Sequence, residues 1–238
     1  MISVPRARSL RVHMDAEEIV MNVHEYRTDL PLVWYQLEWH APHRRNRLGD
    51  IGLSESAVDV LNEAIYQIDD GYRSLTTDQI ASCGRRLLDG ETVYTARMPA
   101  ACILERFKTI GFLDMMVKDG DWSIEDLAAY KVQVLLDYVK LHEELIPHDT
   151  PRVGHLDDAI LMEASWKSLR EEIASYADYR RLRKLEADLQ GKPVQAFRYF
   201  RDDWLESREA EKALIRHQRQ VGLSSYLSQV DIRIFRVH

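Results

Sequence analysis

The chain has 238 residues, 45% hydrophobic and 30% charged, enough apolar material for one large domain or two small ones and far from a disordered composition. A net charge of −7 with a pI near 5.7 disfavours generic binding to phosphate backbones. Cys83 and Cys102 lack metal-type spacing and are expected to be reduced core thiols of a cytoplasmic protein. The basic start Met1–Arg8 has no apolar segment behind it, and no run approaches the roughly 18 apolar residues of a membrane span, so a soluble, cytoplasmic chain is expected.

In chain order, Ser9–Met14 and Val33–His40 alternate and are rich in strand formers, as does the tail Val230–His238. Lone strands leave backbone groups unpaired, so the two ends are expected to pair into a small sheet beside a helical body; pairing across a dimer is the alternative. From Ser54, a capped helix carries Val58, Leu61, Ala64, Ile65 and Ile68 and ends near Asp70-Gly71. Thr76 or Thr77 opens a second helix through Ile80, Cys83 and Leu87 to Gly90. A third spans Pro99 to Val117, with Ile103, Phe107, Ile110 and Met115 apolar.

Ser123 is expected to cap a long helix to Ile146, one face of which reads Ala128, Val132, Leu135, Val139, His142 and Ile146. Another stripe follows through Ala159, Met162, Trp166, Leu169, Ile173 and Tyr176, continuing to about Leu189. A last helix is expected from Val194, with Phe197, Phe200 and Trp204 apolar and a charged stretch from Glu206 to Lys212 projecting into water. The fold class is therefore mainly α: a helical bundle with a small β element from the termini. If there are two units, they are 1–120 and 121–238; a single domain over 1–238 is the alternative.

Polar ligand-type residues concentrate at one break, where His148, Asp149, His155, Asp157 and Asp158 fall within eleven positions between Pro147 and Ala159. Asp157 and Asp158 open a helix, where free N–H groups and the dipole favour carboxylates. Asp158 is in line with the stripe Met162, Trp166, Leu169 and Ile173, so it points inward and needs hydrogen bonds, a cation or a metal. A tie for the Pro151–Gly154 loop is the first expectation and a divalent-metal ligand the second. His142, on an apolar face, is expected to be a satisfied boundary residue.

Two further patterns have bland explanations. Asp119-Gly120-Asp121 resembles the start of a calcium loop, but in that register Val117, Trp122 and Ala128 occupy the first, sixth and twelfth places, where oxygen ligands and a glycine are required. Tyr179–Lys184, with Arg198 and Arg201 and aromatics Phe197, Tyr199 and Phe200, is basic, yet interleaved acids favour a solvated face with neighbouring salt pairs over a nucleic-acid surface. No phosphate-cradling glycine loop, serine elbow, His-Glu-x-x-His or paired-cysteine zinc pattern is present.

The His148-Asp149 pair is similar to that of the HD phosphohydrolases, which would add His40 or His43 and Asp157 or Asp202 as ligands; that family carries the pair on a helix, whereas Pro147 and Pro151 place it here in a loop. Taken whole, Ile146–Ala159 resembles the signature of the YkvA-like family of bacterial helical domains, close to I-P-D-x-I-P-x-x-G-x-L-D-D-A. Pro147, Pro151, Gly154, Leu156, Asp157, Asp158 and Ala159 match; His148 replaces an aspartate, and Asp149 and Thr150 replace apolar residues. The resemblance covers about Ser123 to Leu189 and implies a helical module without an assigned activity. The first expectation for function is a non-catalytic interaction or regulatory module with a protein partner or a second copy, because no catalytic constellation is complete. The alternative is a metal-dependent hydrolase of phosphoesters using His148, Asp149, His155, Asp157 and Asp158.

Overall fold

The computed structural model describes residues 29–32, 46–89, 98–141 and 145–224. Among them are a two-stranded antiparallel hairpin, β1 (Arg47–Leu48) and β2 (Ile51–Gly52), and helices α1 (Glu55–Ile68), α2 (Thr77–Asp89), α3 (Ala101–Lys118), α4 (Asp126–Val139), α5 (Leu156–Leu189) and α6 (Arg201–Ser224). The mainly α class follows directly. The expected terminal strands, His40, His43 and His142 lie outside the described residues.

The long helix α5 packs against α1, α3 and α4, and α1 and α4 also pack on each other. Helices from both sides of residue 120 thus contribute to one buried apolar cluster. All five apolar positions expected of α1 are buried. At the start of α2, Thr76 and Gln79 form a reciprocal capping box: the Gln79 N–H donates to Thr76 Oγ1, and the Thr76 N–H donates to Gln79 Oε1. Gly84 on α2 lets β1 close down, since a Cβ there would sit 2.7 Å from the Leu48 side chain.

Three helices depart from their expected bounds or faces. In α3, Met116 is buried where Met115 was expected, and Arg106, Thr109, Phe112 and Leu113 are buried too, because α3 is covered by both α5 and α4. Helix α4 runs from Asp126 to Val139 rather than from Ser123 to Ile146. Its last turn is tightened by a Leu141 N–H to Tyr138 O bond, and Leu145 and Ile146 are then buried from a non-helical segment. A proline at 147 disfavours helical geometry in the residue before it, consistent with the early exit. Helix α6 starts at Arg201, after a 3-10 turn at Val194–Ala196 and an extended stretch that buries Phe197 and Tyr199. From Glu209 to Gly222 it is exposed, which fits the charged stretch up to Lys212 but also leaves Leu214, Ile215 and Val221 exposed.

The charged patterns around Asp119 and Arg183 are structural. Asp121 accepts hydrogen bonds from Arg183 and Arg198, and the Tyr176 hydroxyl donates to Asp119. Arg201 binds Glu172 and the Ser123 carbonyl, and its guanidinium lies 4.4 Å above the Trp122 ring. These contacts fasten the 119–123 turn and α6 to α5 around Trp122, Tyr176, Tyr179 and Trp204. They engage both aspartates of the calcium-like turn and, from the basic cluster, Arg183, Arg198 and Arg201.

Inside the bundle, Arg106 of α3 is 1% exposed and makes a two-pronged contact with Glu163 of α5, at 2.6 and 2.8 Å, while its third nitrogen donates to the Cys102 carbonyl. Glu163 reaches solvent at 35% exposure, so its charge survives loss of the arginine. Arg106→Ala should accordingly cost about 2 kcal/mol in urea unfolding, from lost packing and lost bonds, rather than the 3–5 of a fully buried pair. A change under about 0.5 kcal/mol would show that the contact contributes nothing net.

Candidate functional site in the connector before α5

Residues 145–155 fold back so that His148, His155 and the Leu145 N–H meet the carboxylates in the first turn of α5. Two residues of this connector, Arg152 and His155, have left-handed backbone angles (φ 67° and 65°) that cost non-glycine residues about 1 kcal/mol or more. Arg152 is held there by its guanidinium, which donates to the Leu87 carbonyl at 2.6 and 3.0 Å, and by its own carbonyl, which accepts the Ala100 N–H. Gly154 is packed beneath the turn: a Cβ would sit 2.3 Å from the His148 carbonyl oxygen and 2.9 Å from that of Thr150. Only glycine allows this closure.

His155 is the N-cap residue of α5, and its left-handed backbone turns its ring back over the helix. Its Nδ1 lies 2.8 Å from Asp158 Oδ2, and His148 Nε2 lies 3.4 Å from the same oxygen. The two imidazoles stack with centroids 3.8 Å apart, and Phe107 of α3 backs His155 at 4.4 Å. Asp158 is 2% exposed, while His148 and His155 are 31% and 21% exposed. The carboxylate therefore forms the floor of the site and the imidazoles its solvent-facing rim. Burial pushes the Asp158 carboxyl up, but the bonds from His148 and His155 outweigh it and hold the group below the usual carboxylate range.

Asp157 also turns inward, in another direction. The Tyr138 hydroxyl and the Leu145 N–H donate to its Oδ2, both at 3.3 Å, and its buried Oδ1 has no hydrogen-bond partner. Burial, with repulsion from Asp158, pushes its pKa up to about 6, against smaller opposing effects from its own backbone N–H, from His148 and from the Tyr138 hydroxyl. Tyr138 is in turn raised by burial and by the Asp157 charge.

Of the five expected ligands, the structure gathers three. One donor atom each from His148, His155 and Asp158 lies within 4.8 Å of the others. Asp157 is not in that group, and Asp149 is exposed and also outside it. Two supporting residues escaped the sequence reading in these roles. Phe107 looked like an ordinary core position, and Tyr138 carries no local signal for a hydrogen bond across nineteen residues.

Ligand atoms around an ion at about 2.0–2.2 Å are themselves about 3–3.5 Å apart; here the two nitrogens lie 2.8 and 3.4 Å from the carboxylate oxygen, and all three atoms fall within 4.8 Å of one another. Two imidazoles and a carboxylate suit zinc and its transition-metal neighbours, and three protein ligands leave coordination positions for water. No helix among the described residues is long and apolar enough to cross a membrane. Comparison of the chain with protein-family models, with curated proteins and with solved structures gave no match.

Proposed function

We propose that this protein is a metal-dependent helical protein whose centre is built from His148, His155 and Asp158. One observation carries the reading: two imidazole nitrogens face a single buried carboxylate oxygen at 2.8 and 3.4 Å, on a connector held in strained backbone geometry. With solvent on the histidine side, a bound ion would polarise a water molecule, the chemistry on which a phosphoester hydrolase would draw. Asp149 and Asp157 are not ligands in this proposal.

The second reading is a non-catalytic interaction or regulatory module, in which the aspartates brace the connector. Asp157 favours it through its bonds to Tyr138 and the Leu145 N–H, which need no ion. The resemblance of Ile146–Ala159 to YkvA-like domains fits either reading.

Elemental analysis of the purified full-length chain separates them. Stoichiometric zinc, manganese or iron in the wild type, lost in Asp158→Ala, is the expected result. A metal-free wild type that takes up none of these ions on titration, destabilised by the same substitution, supports the brace and removes the metal centre.

A further inference from the structure

The inference drawn here rests on the metal reading and concerns what chooses the ion. We infer that the connector binds a late first-row transition dication, of the zinc class, and that Asp157 supplies, without coordinating, the second negative charge that balances it.

The first supporting observation is the donor set. His148 Nε2 and His155 Nδ1 are borderline nitrogen donors that favour zinc, nickel or cobalt over magnesium and calcium, which take oxygen ligands and, for magnesium, retain water. Asp158 presents one oxygen to both nitrogens, in a one-oxygen contact that suits a small ion.

The second is the orphaned oxygen. Asp157 Oδ1 is fully buried and has no hydrogen-bond donor. An unpaired buried acceptor is costly, and burial makes it costlier when charged. Among the described residues it is the one buried side-chain oxygen or nitrogen without a partner, and it belongs to the residue next to Asp158. A local positive charge would compensate it.

The third is the charge count. Asp157 adjoins Asp158 in the first turn of α5, and both carboxylates are buried there. With neutral imidazoles, two carboxylates balance one dication, so the loaded site is neutral. With a single carboxylate it would carry a buried net positive charge. Asp157 thus supplies charge without coordinating, while its bonds to Tyr138 and the Leu145 N–H hold it in place. Its role is the one outer-shell groups serve in metal sites, with losses of about 10–100-fold in affinity when they are removed.

The experiment is calorimetric titration of the chelator-stripped full-length protein at pH 8 with Zn2+ and separately with Mg2+, for wild type, Asp157→Asn and His148→Ala. His148 stands on the partly exposed connector, so its removal leaves the core intact. Wild type is expected to bind one Zn2+ even with Mg2+ in large excess, and His148→Ala to lose most of that affinity. Asp157→Asn is expected to weaken Zn2+ binding about 10–100-fold while the metal-free variant melts no lower than wild type. A purely structural Asp157 would do the reverse, lowering the melting temperature with the Zn2+ affinity unchanged; that result overturns the inference. Mg2+ competing on equal terms with Zn2+ overturns it too. A wild type that binds neither ion overturns the metal reading beneath it.

Discussion

Gly154→Ala should lose the connector and, with it, the site. The added Cβ would meet two backbone carbonyl oxygens, those of His148 at 2.3 Å and Thr150 at 2.9 Å, so no side-chain rotation relieves the clash. Either the turn opens or the residues after it shift. Opening it breaks the Gly154 N–H to Thr150 O bond and displaces His155, whose left-handed backbone directs its ring at Asp158. Overpacking of this kind costs typically 1–3 kcal/mol, and loss of the ties to a buried carboxylate adds a further 1–3. The expected sum is about 2–6 kcal/mol in denaturant unfolding, with metal uptake abolished even where the variant stays folded. A Gly154→Ala protein within about 1 kcal/mol of wild type that still takes up metal would show that the closed turn is not required.

Asp157→Asn should stabilise the metal-free protein at alkaline pH and not at acid pH. The sign follows from the direction of the shift. The folded pKa of Asp157 is raised to about 6, above the ordinary value of 3.8, so between those values the folded state holds a proton that the unfolded state releases. Stability contributed by this group therefore falls as pH rises from about 4 to about 6, and the whole penalty remains above that. The difference between 3.8 and about 6 corresponds to about 3 kcal/mol, offset in the variant by an amide N–H left without an acceptor at about 1 kcal/mol. Asparagine keeps the oxygen that accepts from Tyr138 and Leu145, so the expected net gain is about 1–2 kcal/mol at pH 8, fading below pH 4. Asp158 works in the opposite sense. Its depressed pKa contributes stability above the ordinary carboxylate range that is lost as pH falls through the folded value. Urea unfolding with chelator present at pH 4 and pH 8 checks the prediction. A variant less stable than wild type at pH 8 would mean that the buried charge is compensated by the protein itself.

Gly154 decides whether the connector can close over the first turn of α5. Asp157 decides how much buried negative charge that closure concentrates. A site with both features is costly in isolation, and a bound dication would relieve part of the cost. For that reason the metal titrations and the unfolding measurements belong on the same set of variants.

Much of the helical body was legible in the sequence because local rules and burial agree there. The α1 stripe from Val58 to Ile68 is buried as its spacing demands, and Ala159, Met162, Leu169, Ile173 and Tyr176 lie on the core side of α5. The inward aim of Asp158 followed from the same periodicity, since a helix beginning near residue 156 sets that residue on the stripe. The clustering of histidines and aspartates at the break was visible as composition alone.

What the chain by itself determined is the set of helices, the position of the break and the ligand-type residues gathered there, because periodicity, proline and glycine act over a few residues. Tertiary structure decided which of those residues meet. Asp149 and His148 are neighbours in sequence, yet the turn exposes one and stacks the other on His155. Asp157 and Asp158 share a helix turn but face different partners, one toward Tyr138 and Leu145, the other toward two imidazoles. Adjacent positions on a helix point about 100° apart, so which neighbour each carboxylate finds depends on packing around the helix, which no local pattern encodes.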